Sequence, residues 1–160
     1  MKFFALIAAL VLGSVSAQAA VVGQCGYLNN LENLVEPWEQ NTKTFYNGQV
    51  RIALVDTGGE PVCCSTHLVI MVPRNDEMGG SECFVLSQTQ YDYEDEPSYM
   101  GFQGIDFQKI KASYDPAKGL SLSVPYSTYV DGIDSEYGVA KVLINLSKTT
   151  PVQLDRKSVV

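Results

Sequence analysis

From Thr42 onwards, hydrophobic and polar residues alternate with a period of two, and glycine, proline, asparagine and aspartate separate the alternating stretches. Because successive side chains of a strand point to opposite faces of a sheet, this pattern predicts antiparallel β-strands with one buried face. Asn47-Gly48 tolerates the positive φ angles of a type I′ turn. It therefore predicts a hairpin that joins strands at 42–46 and 49–56.

The predicted strand at 62–72 carries apolar residues on both faces. Leu68 and Ile70 lie on one face, and Val69 lies on the other. Strands that are apolar on both sides are typical of sheets that are covered on both sides. We therefore expect this strand at the centre of the fold, followed by another at 82–90.

A second hairpin is predicted from two alternating stretches, 108–114 and 120–126, on either side of a turn. A symmetric turn places Ala112 opposite Leu122, and one face of both strands is then buried. The alternation in 139–146 predicts a last strand.

Helical spacing occurs near the N-terminus, before the first predicted strand. Apolar residues recur there at intervals of three and four, which places them on one face of a short helix. Pro37 bends or ends this helix because proline cannot donate the backbone hydrogen bond. The apolar face consists of Leu28, Leu31, Leu34, Val35 and Trp38.

About seven or eight short strands and one short N-terminal helix predict an all-β fold, either an antiparallel β-sandwich or a small barrel. The chain leaves no room for the crossover helices of an α/β fold. Residues 20–160 are expected to form a single β-rich domain, because a chain of this size supports one hydrophobic core. Residues 149–160, polar apart from Val152 and Leu154, are expected to fray in part.

Residues 1–19 have the features of a secretory signal peptide. Lys2 supplies a positive charge, 3–12 is apolar, and Ala17-Gln18-Ala19 fits the small-residue cleavage pattern. We expect a secreted or periplasmic protein without a membrane span, because no later apolar stretch reaches about 18 residues. The formal net charge of −7 argues against nucleic acid as a partner, since phosphates repel an acidic surface.

The four cysteines, Cys25, Cys63, Cys64 and Cys83, predict disulfides in an oxidising compartment. The predicted strand register separates Cys64 from Cys83 by about 26 Å, whereas bonded cysteines have α-carbons within about 7 Å. Two arrangements remain open. In the first, Cys25 pairs with Cys83, and Cys63 and Cys64 form a vicinal bond or remain thiols. In the second, a loop carrying Cys63 and Cys64 folds back over the hairpin.

The sequence contains no catalytic motif. A Gly-x-Ser-x-Gly elbow for a serine nucleophile is missing. The single histidine, His67, is predicted to lie opposite Arg51, which favours a solvated or capping histidine over a catalytic base. We therefore expect no enzymatic activity and predict no catalytic residues.

Two segments between predicted strands, 91–99 and 126–137, are rich in tyrosine and carboxylate side chains. Tyrosine offers a large contact surface at small entropic loss, and carboxylates attract basic partners. We predict a non-catalytic module that binds a basic protein, such as an inhibitor of a cationic enzyme like lysozyme. The candidate partner-binding residues are Tyr91, Asp92, Tyr93, Glu94, Asp95, Glu96, Tyr129, Asp131, Asp134, Glu136 and Tyr137.

Four alternatives compete with this interpretation. Both segments could be solvated loops whose tyrosines cap the core. The carboxylates of either segment could instead bind Ca²⁺, although neither segment matches an EF-hand loop. Apart from this calcium alternative, we expect no cofactor or metal. A cell-wall glycan hydrolase could use paired carboxylates such as Asp131 and Asp134. A structural, surface-associated protein could assemble through sheet edges.

Overall fold

The protein consists mainly of β-strands in a computed structural model that describes residues 20–59, 62–129 and 135–156. Within these ranges twelve strands occur, more than the seven or eight that the sequence pattern predicts. They are β1 Val21–Gln24, β2 Thr42–Phe45, β3 Val50–Asp56, β4 Thr66–Pro73, β5 Ser81–Ser87, β6 Thr89–Tyr93, β7 Glu96–Met100, β8 Gly104–Ile105, β9 Lys111–Asp115, β10 Gly119–Tyr129, β11 Ser135–Ile144 and β12 Val152–Leu154.

The first sheet has five antiparallel strands in the order β1-β5-β4-β3-β2. Its central strand, β4, is covered on both faces, as its apolar pattern predicts. Leu68 and Ile70 belong to the main hydrophobic cluster, whereas Val69 belongs to a smaller cluster on the opposite face. The smaller cluster also holds Leu28 and Tyr99, which come from outside this sheet.

The hairpin β2–β3 forms where Asn47-Gly48 predicts it, with Phe45 opposite Val50. The predicted two-residue turn is wrong, because four residues separate the paired positions. Positive φ angles begin one residue earlier, at Tyr46, and continue through Asn47 and Gly48.

The second sheet has the strand order β12-β11-β10-β8, and β9 also pairs with β10. Ala112 lies opposite Leu122, as the symmetric turn predicts. The predicted burial of the β9 face is wrong, because β9 is exposed along its whole length. It is an edge strand, and its Tyr114 meets only the edge of the Tyr46 ring, at 5.7 Å between centroids.

Inward-facing side chains of both five-stranded sheets meet in one hydrophobic cluster. The first sheet contributes Val50 and Ile70, and the second contributes Leu122 and Ile144, all with 1% or less of their surface exposed. Val152, in the tail, is buried in the same cluster. Among the residues that the structure describes, none of the sheets closes into a barrel.

The predicted N-terminal helix is wrong, because the described residues of this segment form short 3-10 turns. Leu28 is buried, but Leu31 and Trp38 are exposed, so the expected apolar face does not exist. Asparagines favour turns over helix, and Pro37 interrupts a segment that is too short to nucleate a helix alone. The turns are Gly26–Asn29, Leu31–Asn33 and Trp38–Gln40.

Cys25 and Cys83 form a disulfide with a Cα–Cα distance of 5.4 Å, and Cys63 and Cys64 form a vicinal one. The first of the two predicted arrangements is therefore confirmed. Disulfides are compatible with an extracellular or otherwise oxidising compartment. The predicted signal peptide lies outside the described residues. Within the described ranges, no helix has the length and apolar character needed to cross a bilayer.

Candidate functional site

The first tyrosine-and-carboxylate segment forms an antiparallel ribbon, β6–β7, that is separate from the two large sheets. The register runs from Thr89 opposite Met100 to Tyr93 opposite Glu96. Every residue of β6 is exposed, and most of β7 is too. We call residues 89–100 the acidic ribbon.

The tip of the acidic ribbon holds two carboxylates in an unfavourable backbone conformation. Glu94 and Asp95 have φ angles of 51° and 63°. Two-residue turns of this kind prefer Asn-Gly, and a residue with a Cβ loses roughly 1–2 kcal/mol in the left-handed region. The acids at the tip are therefore present at the expense of local stability, as are Tyr46 and Asn47 in the turn between β2 and β3.

The ribbon register places Tyr91, Tyr93 and Glu96 on the same face. The two tyrosine side chains are 50% and 63% exposed. Asp92 lies on the opposite face, which also carries Tyr99, but Asp92 is exposed. One ribbon face thus combines phenol rings with a carboxylate, and the tip adds two more.

None of the four carboxylates of the ribbon forms an ion pair with another residue that the structure describes. Within the described ranges, the ion pairs are Arg74 with Asp76 and Lys109 with Asp106. The charge of the ribbon is therefore not neutralised by neighbouring side chains. It remains available to a partner.

Three contacts fix the base of the ribbon to the rest of the protein. The Tyr99 side chain is 4% exposed and packs against Gly23 of β1, where a Cβ would collide with the phenol. The Gln88 N–H donates to the Met100 carbonyl at 3.0 Å, and the Gly101 N–H donates to the Cys64 carbonyl at 2.7 Å. The ribbon is consequently exposed along its length but anchored at its base.

Substitution of Gly101 by alanine is expected to destabilise the protein by roughly 1–3 kcal/mol. A Cβ there would lie 2.7 Å from the Thr66 backbone nitrogen and 2.8 Å from the Cys64 carbonyl oxygen. Because these are backbone atoms, they cannot rotate away. Urea unfolding measures the effect, with Gly104→Ala as a control, because a Cβ there would meet only the Ser127 Oγ, at 3.4 Å, and the φ angle of Gly104 is not in the left-handed region. Equal losses for the two variants would contradict the steric explanation.

Tyr27 extends the tyrosine surface and could not be assigned to it from the sequence. Its side chain is half-exposed, in the turn that follows Cys25. Burial, and then the nearby Tyr91 phenol, raise the pKa of Tyr27. The two rings are neighbours through tertiary structure, and no local pattern in the sequence signals it.

The second tyrosine-and-carboxylate segment is arranged differently. Tyr129 and Tyr137 are exposed on one face of the β10–β11 pair, whereas the register places Glu136 on the opposite face. Burial, and then the charge of Glu136, raise the pKa of Tyr126, which lies on the same face as Glu136. The other two candidate residues, Asp131 and Asp134, lie outside the described residues.

The 3-10 turn Val62–Cys64 contacts both the residue that follows the ribbon and strand β10, which carries part of the second segment. Strand β10 contacts this turn, and Gly101, which directly follows the ribbon, is hydrogen-bonded to Cys64. For the residues that the structure describes, no hydrogen bond or ion pair joins the two segments. The acidic ribbon is therefore the better-defined surface.

His67 is buried, so the prediction of a solvated histidine is wrong. Its side chain is 1% exposed and faces Val55, and Arg51 lies opposite Met71 instead. A hydrogen bond of 2.7 Å joins His67 Nδ1 and the buried Ser87 Oγ. Burial lowers the pKa of His67 to about 4, against the opposing charge of Asp56. At neutral pH the ring is uncharged and enclosed, which suits a structural role.

In the described part of the chain, no three histidine, cysteine, aspartate or glutamate side chains converge as metal ligands. The calcium alternative stays a prediction, since two of its candidate ligands fall in the range 130–134. The chain matches no protein-family model, no curated protein and no solved structure with which it was compared.

Proposed function

We propose that this chain is a secreted or periplasmic β-sandwich of two open sheets that binds a basic protein through the acidic ribbon. The observation that carries the proposal is the set of four ribbon carboxylates without ion pairs, next to two exposed tyrosines. The inward side chains shared by the two sheets support the sandwich. The disulfides support the compartment.

The chemistry of the ribbon suits a cationic surface. Unneutralised carboxylates attract basic partners over a Debye length of about 8 Å at physiological salt and raise the encounter rate. The phenol rings add contact area and can pack against arginine guanidinium groups. An exposed two-stranded ribbon also fits a cleft better than a flat surface, which favours a cationic enzyme with an open cleft, such as a lysozyme, as partner.

The test compares two triple variants in binding to a panel of cationic proteins that includes lysozyme. In the ribbon variant, Glu94→Gln, Asp95→Asn and Glu96→Gln, we expect the dissociation constant to rise about tenfold or more, since exposed charge pairs each contribute up to about 1 kcal/mol. The matched control removes the same charge from exposed acids elsewhere: Glu32→Gln, Glu36→Gln and Glu39→Gln. Affinity of the control should change less than twofold.

The salt dependence of binding gives a second readout. Binding of the wild-type chain should weaken between about 20 and 150 mM salt, because screening shortens the reach of the ribbon charges. Failure of all cationic proteins to bind, or equal weakening by the ribbon and control variants, would contradict the proposal.

A further inference from the structure

Basic side chains without a partner are concentrated in one half of the protein. Of the nine lysines and arginines in the described ranges, four have a polar partner: Lys43, Arg51, Arg74 and Lys109. The remaining five have neither a hydrogen bond nor an ion pair through their side chains. All five come from the second sheet and its connections: Lys111, Lys118, Lys141, Lys148 and Arg156.

The strand register aligns two of these lysines on the outer face of the second sheet. Ser123 of β10 lies opposite Lys111 on one side and opposite Lys141 on the other. The neighbouring residues Leu122 and Val124 point into the core, so this row points away from it. Two strand spacings separate the lysine backbones by roughly 10 Å.

A groove of about 1170 Å³ lies beside this row, at the edge formed by β12. Its lining includes three of the unpaired basic side chains, Lys118, Lys141 and Arg156. The lining also includes the neutral polar side chains of Ser121 and Gln153 and the carboxylates of Asp115 and Asp155.

We propose that this groove binds a chain of acidic polysaccharide without the tip carboxylates of the acidic ribbon. Of the ribbon, only Gln90, near its base, lines the groove. The ammonium and guanidinium groups suit carboxylate groups of uronate sugars. Hydroxyl and amide groups can form hydrogen bonds with sugar hydroxyls. Asp115, which also lines the groove, can do the same with its second carboxylate oxygen, because the first accepts a hydrogen bond from the Ala117 N–H.

The size of the groove favours an oligosaccharide over a single sugar. Pockets for small molecules measure about 300–1,000 Å³, and this groove is larger and open. The acidic ribbon of a second copy is the competing occupant. It fits less well, because the ribbon offers few partners for the neutral polar groups of the groove.

The experiment titrates the full chain with oligogalacturonate and oligomannuronate, and with a neutral galactan oligosaccharide of the same length. We expect at least one uronate oligomer to bind and the neutral oligomer to bind at least tenfold more weakly. Lys118→Gln combined with Lys141→Gln should weaken uronate binding at least tenfold. The matched control, Lys148→Gln, removes an unpaired lysine outside the groove and should change it less than twofold. Thermal melting confirms that all variants fold.

Three results would overturn the proposal. These are absence of uronate binding, equal weakening by Lys148→Gln, and equal affinity for the neutral oligomer. Sedimentation velocity tests the competing occupant: association that Glu94→Gln removes would assign the groove to a second copy and would also overturn it. We expect uronate binding to survive neutralisation of Glu94, Asp95 and Glu96. This result would show that the groove binds uronates whether or not the proposed protein-binding function is correct.

Discussion

Replacement of Cys25 and Cys83 by serine is expected to lower the free energy of unfolding by about 4 kcal/mol. The bond joins residues 58 positions apart, so it removes a large amount of conformational freedom from the unfolded chain. In the folded protein it holds the turn at Gly26–Asn29 against β5, where Cys25 is buried in the smaller hydrophobic cluster. That cluster also contains Tyr99, which anchors the acidic ribbon.

Urea unfolding of the oxidised proteins measures this effect. Replacement of Cys63 and Cys64 by serine is the matched control, because it also removes one disulfide but the two residues are adjacent. A bond between neighbours closes no long loop, so we expect the control to lose much less stability. Equal losses in the two double variants would contradict this account of the disulfide.

Stability is expected to fall by about 3 kcal/mol as the pH decreases from about 6.5 to about 4, through His67 alone. Burial lowers the pKa of His67 in the folded protein to about 4, from 6.5 in the unfolded chain. Between these values the unfolded chain binds a proton that the folded protein does not bind. The stabilisation is therefore complete above pH 6.5 and is lost as the pH falls towards 4.

The difference in unfolding free energy between the wild type and His67→Asn isolates the effect of His67. Titration of the carboxylates cancels in this difference, because both proteins have the same carboxylates. Asparagine keeps a polar group that can reach Ser87 but does not titrate. Unfolding free energies of the two proteins, measured in urea at intervals between pH 7.5 and 4, should converge by about 3 kcal/mol as the pH falls. Curves that remain parallel over this range would show that His67 is not protected from protonation.

Periodicity predicted the faces of the strands well but their register less well. The pattern of β4 predicted its central position, and the turn before Gly119 predicted the pairing of Ala112 with Leu122. The same reasoning placed Arg51 opposite His67, whereas Arg51 pairs with Met71, four residues further along. An even shift keeps every side chain on its face, so a period of two contains no information about it.

Composition located the acidic ribbon, but only the register shows which of its groups act together. Tyr91, Tyr93 and Glu96 share a face because the turn lies at Glu94-Asp95. In the other segment, Glu136 and Tyr137 fall on opposite faces because they are adjacent in one strand. The approach of Tyr27 to Tyr91 depends on the packing of distant elements, and a single sequence does not specify it.

Binding through the acidic ribbon is tested directly by mapping backbone amide chemical shifts while a cationic protein that binds, such as lysozyme, is added. We expect the largest changes in residues 89–100 and around Tyr27, and we expect them to disappear when Glu94, Asp95 and Glu96 are neutralised. Changes confined to residues of the second sheet, with the ribbon amides unaffected, would contradict binding through the ribbon.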